Sequence, residues 1–196
     1  YPAVKLFQIS FSNWNGFSPT MNYIGLGNYI GVFRDGSGFL YLKNNLAYIA
    51  MMLVQTILGL YIAILLDTGI RGKNFFKSII FMPYIMNGIA IAYMFNYWYS
   101  FEEGPPNQIL RLLGLGDYAI HWITDNYSVN FALALIVTWR YIGFDMVIFL
   151  GALQSISPSL YESSSIDGAN FWHNIRYITL PSIKPVITLL LFLGIN

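Results

Sequence analysis

The sequence predicts an all-α protein that crosses a membrane several times. Hydrophobic residues make up 56% of its 196 residues and charged residues only 10%, whereas a typical soluble domain is about 25% charged. Three long apolar segments, residues 46–66, 78–101 and 129–153, each reach the roughly 20 residues that a membrane-spanning helix needs. A chain of this length allows one domain, so we expect residues 1–196 to form a single transmembrane domain.

Composition also excludes several classes of function. The formal net charge of +1 gives no indication of a nucleic-acid partner. The chain contains no cysteine, which excludes disulfides and thiolate metal sites. His121 and His173 are the two histidines, and the topology derived below predicts them on opposite sides of the membrane. We therefore expect neither a metal site nor a catalytic constellation, and hence no enzyme active site.

Both ends of the sequence are apolar but too short to cross a bilayer. Residues 1–11 and 186–196 are predicted as parts of two further spans that continue outside this sequence. Residues 12–45 are rich in Asn, Gly and Ser, with aromatic residues between them. Aromatic side chains among turn residues are typical of a membrane–water interface, so this segment is predicted to be an interfacial loop.

The charges of the loops indicate the orientation in the membrane. Residues 68–77 contain Arg71, Lys73 and Lys77, and short loops rich in cations lie on the cytoplasmic side. Residues 102–128 contain four acidic residues and one cation, Arg111, which suits the outer side. Alternation then predicts that residues 155–185 face the cytoplasm.

The segment of residues 78–101 carries Pro83 near its cytoplasmic end and polar or aromatic residues at its outer end. Trp98 and Tyr99 are predicted as interface anchors. Asn96 and Tyr97 allow two interpretations. They are either further anchors or part of a polar cavity, because sugars are bound by aromatic faces and amide hydrogen bonds.

The segment of residues 129–153 is unusual because it contains two charged residues, Arg140 and Asp145. Charge inside a bilayer is costly, so such side chains face a cavity or a partner. Arg140, Tyr141 and Asp145 are therefore candidates for a polar translocation path or for pairing between subunits. The alternative is a structural pairing with a neighbouring helix. Positions five apart share a helix face poorly, so we expect the two charges to point in different directions.

Residues 155–185, called the 155–185 loop below, are polar but carry helix signals of their own. Ser157 before Pro158 is typical of a helix start, with a hydroxyl cap followed by proline at the first position. Gly168 is typical of a helix end, and Asn170 is predicted to cap a second helix. Pro181 is predicted to end that helix. The sequence thus predicts two short helices joined by a glycine bend.

The same loop carries a spaced motif. Glu162, Ser163 and Ser164 are followed by three residues, Gly168, nine residues, and Ile178-Thr179-Leu180-Pro181. This pattern resembles the EAA loop of ABC importer permeases, with serines in place of the two alanines. The run that includes Asp167, Gly168 and Ala169 resembles the carbohydrate-uptake branch, of maltose and glycerol-3-phosphate type.

The resemblance implies a fold and a function. The fold would be a type I ABC importer transmembrane domain with a six-helix core, of which about five helices are represented here. The 155–185 loop would dock on the ATPase, with Glu162 pairing with a basic residue and Gly168 permitting the bend. Ala169, Phe171 and Trp172 would supply contact surface, and Ile178, Leu180 and Pro181 would complete the motif.

The resemblance also implies the surroundings of the protein. The chain would be a multi-pass subunit in the cytoplasmic membrane of a bacterium or archaeon, forming the path for a sugar or oligosaccharide. Its partners would be two ATPase subunits, a second homologous permease and an extracytoplasmic solute-binding protein. ATP and Mg²⁺ would be bound by the ATPase subunits, and this chain would bind no cofactor. The alternative function is an ion-coupled secondary transporter that uses Arg140 and Asp145.

Overall fold

The computed structural model describes residues 2–126 and 128–195. Within these ranges the regular structure is helical, apart from an isolated antiparallel bridge between Ser12 and Tyr23. This confirms the all-α prediction. The chain divides into two compact units, with the boundary after Leu46.

The first unit contains helices α1 (Pro2–Ser10) and α2 (Gly27–Arg34), together with the start of α3 (Ser37–Asp67). Asn28 Nδ2 donates to the carbonyls of Ser10 and Ser12 at 2.8 and 2.9 Å, which ties α2 to the end of α1. Because α2 and the start of α3 are helical, the prediction that all of residues 12–45 form a loop is wrong in its extent. The helix of the first full span has 31 residues and reaches about 46 Å at 1.5 Å each, which exceeds the roughly 30 Å of a bilayer's hydrocarbon core.

The second unit is built around α7 (Val129–Gln154), which buries one face along most of its length. Met146 and Phe149 of α7 are fully buried and pack in one apolar cluster with Ala63 of α3 and Ile183 of α10 (Leu180–Ile195). The helices also approach each other closely. A side chain at Gly143 would place its Cβ 2.7 Å from Phe81 Cα, so glycine allows α7 to lie against the backbone of the preceding span.

The predicted span of residues 78–101 is not one straight helix. It consists of α4 (Lys73–Ile85) and α5 (Gly88–Trp98), which meet at an angle of 95°. Met86 and Asn87 are extended, and the Asn87 side chain accepts a hydrogen bond of 2.8 Å from the Ile89 N–H. The prediction of a continuous span is wrong because this asparagine caps a new helix inside an uncharged segment.

The loop between α5 and α7 contains a short helix, α6 (Pro105–Leu112), and a 3₁₀ turn at Gly116–Tyr118. Asn107 of α6 is fully buried. Its Nδ2 donates to the carbonyls of Phe101 and Ile120, and its Oδ1 accepts from the Ile120 N–H and the Trp122 indole. One amide therefore holds both ends of this loop together.

The 155–185 loop forms α8 (Pro158–Ile166), α9 (Phe171–Asn174) and a π-helical turn (Ile175–Thr179) that runs directly into α10. The prediction that Pro181 ends a helix is wrong. The Leu180 N–H donates to the Ile175 carbonyl, five residues earlier, which is the bonding of a π-helix and not of an α-helix. Pro181, which has no N–H, therefore follows a point where the α-helical hydrogen bonds are already interrupted. The second half of the loop is thus continuous with the last span.

Length and composition identify the helices that are able to cross a membrane. Among the described residues these are Gly38–Asp67, Val129–Gln154 and Phe171–Ile195, with the bent pair α4–α5 as a fourth if it counts as one span. The predicted spans of residues 46–66 and 129–153 lie within two of these helices.

Candidate functional site

A cavity of about 780 Å³ lies within the second unit, between α3, α5, α7 and α10. Its wall is mostly apolar, with aromatic rings such as Phe95 and Phe144. A few polar side chains interrupt that wall, and they are Tyr48, Gln55, Thr56, Asn96, Tyr99, Thr138, Arg140, Tyr141 and Asp145. Four of the five residues predicted for a translocation path thus line one cavity. The fifth, Tyr97, is 61% exposed and is not among the lining residues.

Asp145 is held by a residue of another helix. The residue is only 4% exposed, and Gln55 Nε2 donates to its Oδ2 at 2.9 Å. Gly59, one turn further along α3, permits this approach, because a Cβ there would lie 2.8 Å from Asp145 Cβ. Sequence reasoning missed Gln55. The available signal was an amide within an otherwise apolar span.

Arg140 lies against the break between α4 and α5. Its Nη2 donates to the Met86 carbonyl at 3.4 Å, and its Nη1 would lie 3.6 Å from a Cβ placed at Gly88. The guanidinium carbon is 5.7 Å from the centre of the Tyr141 ring. The Nε atom is buried and has no hydrogen-bond partner in the described part of the chain. The cation therefore contacts a backbone carbonyl at the C-terminal end of α4, where the helix dipole favours positive charge.

Arg140 and Asp145 line the same cavity, although their spacing predicted that they would point in different directions. The Arg140 side chain is long enough to reach the helix break from its own face of α7. The two residues do not form an ion pair, since the one salt bridge in the described part of the chain joins Arg111 to Glu102. Each charge is thus held by a different neighbouring helix.

The bend of the 155–185 loop has the geometry of a Schellman motif. Gly168 has a φ of +77°, the Gly168 N–H donates to the Ser165 carbonyl, and the Ala169 N–H donates to the Ser164 carbonyl. A left-handed residue at this position is usually glycine because it has no Cβ to clash. Asn170 caps the next helix through a 3.0 Å bond from the His173 N–H. The predicted bend and cap are confirmed.

The predicted hydroxyl cap at the start of α8 is absent. Pro158 does occupy the first helical position, but the Ser157 side chain makes no capping bond. Its hydroxyl oxygen instead lies 2.8 Å from the Ser159 hydroxyl oxygen. The proline already removes one of the unpaired N–H groups of the first turn, and the neighbouring hydroxyl competes for the serine side chain.

The serines that replace alanine in the motif make hydrogen bonds. Ser164 Oγ lies 2.8 Å from both Asn174 Oδ1 and the Tyr161 carbonyl, and so links α8 to α9. Ser163 Oγ donates to the Ser159 carbonyl within α8. The Tyr161 hydroxyl lies 3.0 Å from the Thr179 hydroxyl at the end of the π-helical turn. Two polar contacts therefore connect the two halves of the loop.

The remaining motif residues present an exposed surface. Trp172 is 72% exposed and Phe171 55% exposed, and Glu162, Asp167 and Pro181 are exposed as well. Ala169, Ile178 and Leu180 are half-buried. Two large aromatic side chains next to a carboxylate, on a bend between helices, make a surface with the composition of a protein contact.

A family model for binding-protein-dependent transport system inner membrane components matches residues 55–196. The chain belongs to this family. It is therefore a membrane component of a transport system, and the matched region includes the cavity helices α5, α7 and α10 and the whole 155–185 loop.

Two curated proteins are similar to this one over nearly the whole chain. A probable ABC transporter permease protein of Pyrococcus horikoshii is 32% identical over 190 residues, covering 96% of this chain and 65% of that protein. The trehalose/maltose transport system permease protein of Thermococcus litoralis is 30% identical over 194 residues, covering 98% of this chain and 65% of that protein.

A solved structure supports the fold. The crystal structure of a bacterial ABC transporter involved in the import of the acidic polysaccharide alginate contains a chain with a TM-score of 0.78 to this one. The identity is 26%, and the match covers 98% of this chain and 65% of that chain. The present chain thus spans slightly less than two thirds of the length of all three proteins.

Proposed function

We propose that this family member is a permease subunit of an ATP-driven importer and forms part of the path for a sugar or oligosaccharide. The observation that carries the proposal is the cavity of about 780 Å³ between four helices of the second unit. Its aromatic walls and scattered amide, hydroxyl and charged groups suit a carbohydrate, which offers both apolar ring faces and hydroxyl groups. The named functions of the trehalose/maltose permease and the alginate transporter support this substrate class.

The 155–185 loop is proposed as the contact with the ATPase. Its spacing from Glu162 to Pro181 is the motif spacing, and Phe171 and Trp172 are available at the surface. Because the loop is helical and continuous with α10, a push on it would be transmitted to a cavity helix. Movement of rigid helices is a common route for switching between two states.

The partners follow from the same proposal. Two ATPase subunits would bind ATP and Mg²⁺, a second homologous permease would complete the path, and a solute-binding protein would deliver the sugar from outside. The family description, with its dependence on a binding protein, supports the last of these. Family membership also favours this function over the ion-coupled alternative, in which Arg140 and Asp145 would carry the coupling.

The test uses the full-length subunit, expressed with its partner permease and ATPases and reconstituted in proteoliposomes. Gly168→Asp places a charged side chain at φ +77°, and Gly114→Asp is a matched control because Gly114 has φ +75° and open space around it in the loop before α7. We expect Gly168→Asp to abolish ATPase co-purification and sugar uptake and Gly114→Asp to retain both. Uptake that follows an ion gradient and is unaffected by Gly168→Asp would contradict the proposal.

A further inference from the structure

Arg140 has unused hydrogen-bonding capacity inside the cavity. A guanidinium carries five N–H donors, and the structure gives Arg140 one bond, the 3.4 Å contact from Nη2 to the Met86 carbonyl. The Nε atom is buried and has no partner among the residues that the structure describes. A buried donor without an acceptor is costly, and more so when it is charged and lies within a membrane span. Because Nε has almost no accessible surface, a ligand in the cavity would supply acceptors to the terminal N–H groups of Arg140, which lines that cavity.

The other charged residue of the cavity wall does not supply that acceptor. Among the described lining residues the charged side chains are Arg140 and Asp145. Asp145 is almost fully buried, is bonded by Gln55, and forms no ion pair with Arg140. The guanidinium is therefore the charged group of this wall that is left to meet a ligand.

The Arg140 side chain lines the cavity next to the start of α5. Gly88 is the first residue of α5 and has no side chain to cover Nη1. Gly88 begins this 11-residue helix, and a helix N-terminus favours negative charge, although the Ile89 N–H is already capped by the Asn87 side chain. Tyr141 offers a ring next to the guanidinium at 5.7 Å, which suits the apolar face of a sugar. A cation, a helix start and an aromatic ring thus meet at one place.

We propose that Arg140 recognises an oxyanion, a carboxylate or a phosphate, on the carbohydrate that enters this cavity. A guanidinium binds such groups through two parallel hydrogen bonds. The substrate class would then be acidic saccharides, either uronates or sugar phosphates. This inference rests on the proposed function and names the substrate of the same site.

The experiment measures equilibrium binding to the complete importer in nanodiscs, without the solute-binding protein. The probes are neutral oligosaccharides of several sugar types, each paired with its uronate counterpart and with its phosphorylated counterpart. We expect at least one acidic member to bind about tenfold or more tightly than its neutral mate. Arg140→Gln should abolish that preference, and Arg140→Lys should restore part of it, because lysine keeps the charge and loses the paired geometry.

Arg111→Gln is the control, since it makes the same substitution in the loop outside the cavity wall. Which acidic series is preferred distinguishes carboxylate from phosphate. The inference is overturned if no acidic probe binds more tightly than its neutral mate, or if Arg140→Gln weakens acidic and neutral probes equally. ATPase co-purification and ATP-driven uptake of a neutral sugar, measured on the same preparations, report on the proposed function separately. If both persist without any acidic preference, the importer function stands and the inference fails.

Discussion

Gln55 of α3 and Asp145 of α7 are joined by a hydrogen bond of 2.9 Å from Nε2 to Oδ2. The bond connects two spans across 90 positions of the chain and fixes a carboxylate in the wall of the cavity. It lies one turn from Gly59, where α3 approaches α7 too closely for a side chain. Close packing at Gly59 and the hydrogen bond from Gln55 to Asp145 therefore both join α3 to α7.

We expect Gln55→Leu to destabilise the protein by about 1–3 kcal/mol, because it removes the donor and leaves a buried carboxylate without it. Combining it with Asp145→Leu, which removes the acceptor, should give less than the sum of the two single effects, since the residues interact directly. The measurement is unfolding of the purified assembly in detergent. Gln154→Leu is the matched control at an exposed position of α7. Additive effects of Gln55→Leu and Asp145→Leu would contradict the pairing.

Gly143→Ala should lower stability by about 1–3 kcal/mol, because its Cβ would overlap the backbone of α4 at Ile80 and Phe81 and a packed interface resists added volume. Gly151→Ala on the same helix is the control, because a Cβ there meets nothing within 4 Å. Thermal unfolding of both variants compares them directly. Equal melting temperatures would show that α4 and α7 do not pack closely at this point.

The contact between Tyr161 and Thr179 should stiffen the 155–185 loop. Its loss in Tyr161→Phe weakens the link between α8 and the π-helical turn by about 0.5–1.5 kcal/mol. If the loop transmits ATPase movement, more ATP should be hydrolysed for each sugar transported. Tyr177→Phe is the control, since Tyr177 is 66% exposed. The ratio of hydrolysis to uptake in proteoliposomes is the measurement, and an unchanged ratio in Tyr161→Phe would exclude this role.

Asn107→Ala should loosen the loop between α5 and α7. It removes an amide that bonds Phe101, Ile120 and Trp122, and the buried groups left unpaired cost about 1–3 kcal/mol each. Limited proteolysis of right-side-out vesicles should then cleave this loop faster, given the predicted outer location. The neighbouring Gln108→Ala, at an exposed position of the same helix, should leave the cleavage rate unchanged. Equal cleavage of both variants would contradict the structural role of Asn107.

Several features of the fold were predictable because they depend on local chemistry. Hydropathy located the spans within α3 and α7. The length of an apolar segment indicates whether it can cross a bilayer, and this does not depend on which helices it packs against. Gly168 and Asn170 marked the bend of the 155–185 loop, because a left-handed residue and a side-chain cap act within one helix turn. The spacing from Glu162 to Pro181 indicated the family, because a spaced motif depends only on the order of residues in the chain.

Other features depended on how distant segments meet. An uncharged run of residues gave no sign that Asn87 would start a new helix at 95° to α4, nor that a π-helical turn would carry the chain past Pro181. The partners of Arg140 and Asp145, the Met86 carbonyl and Gln55, come from other helices. Hydropathy describes the transfer of a segment into a bilayer, but not its direction or its neighbours. The sequence by itself determined a helical membrane protein with a motif-bearing loop. Only the tertiary structure decided which polar groups share a cavity, because close helix packing, permitted at Gly59 and Gly143, selects those contacts.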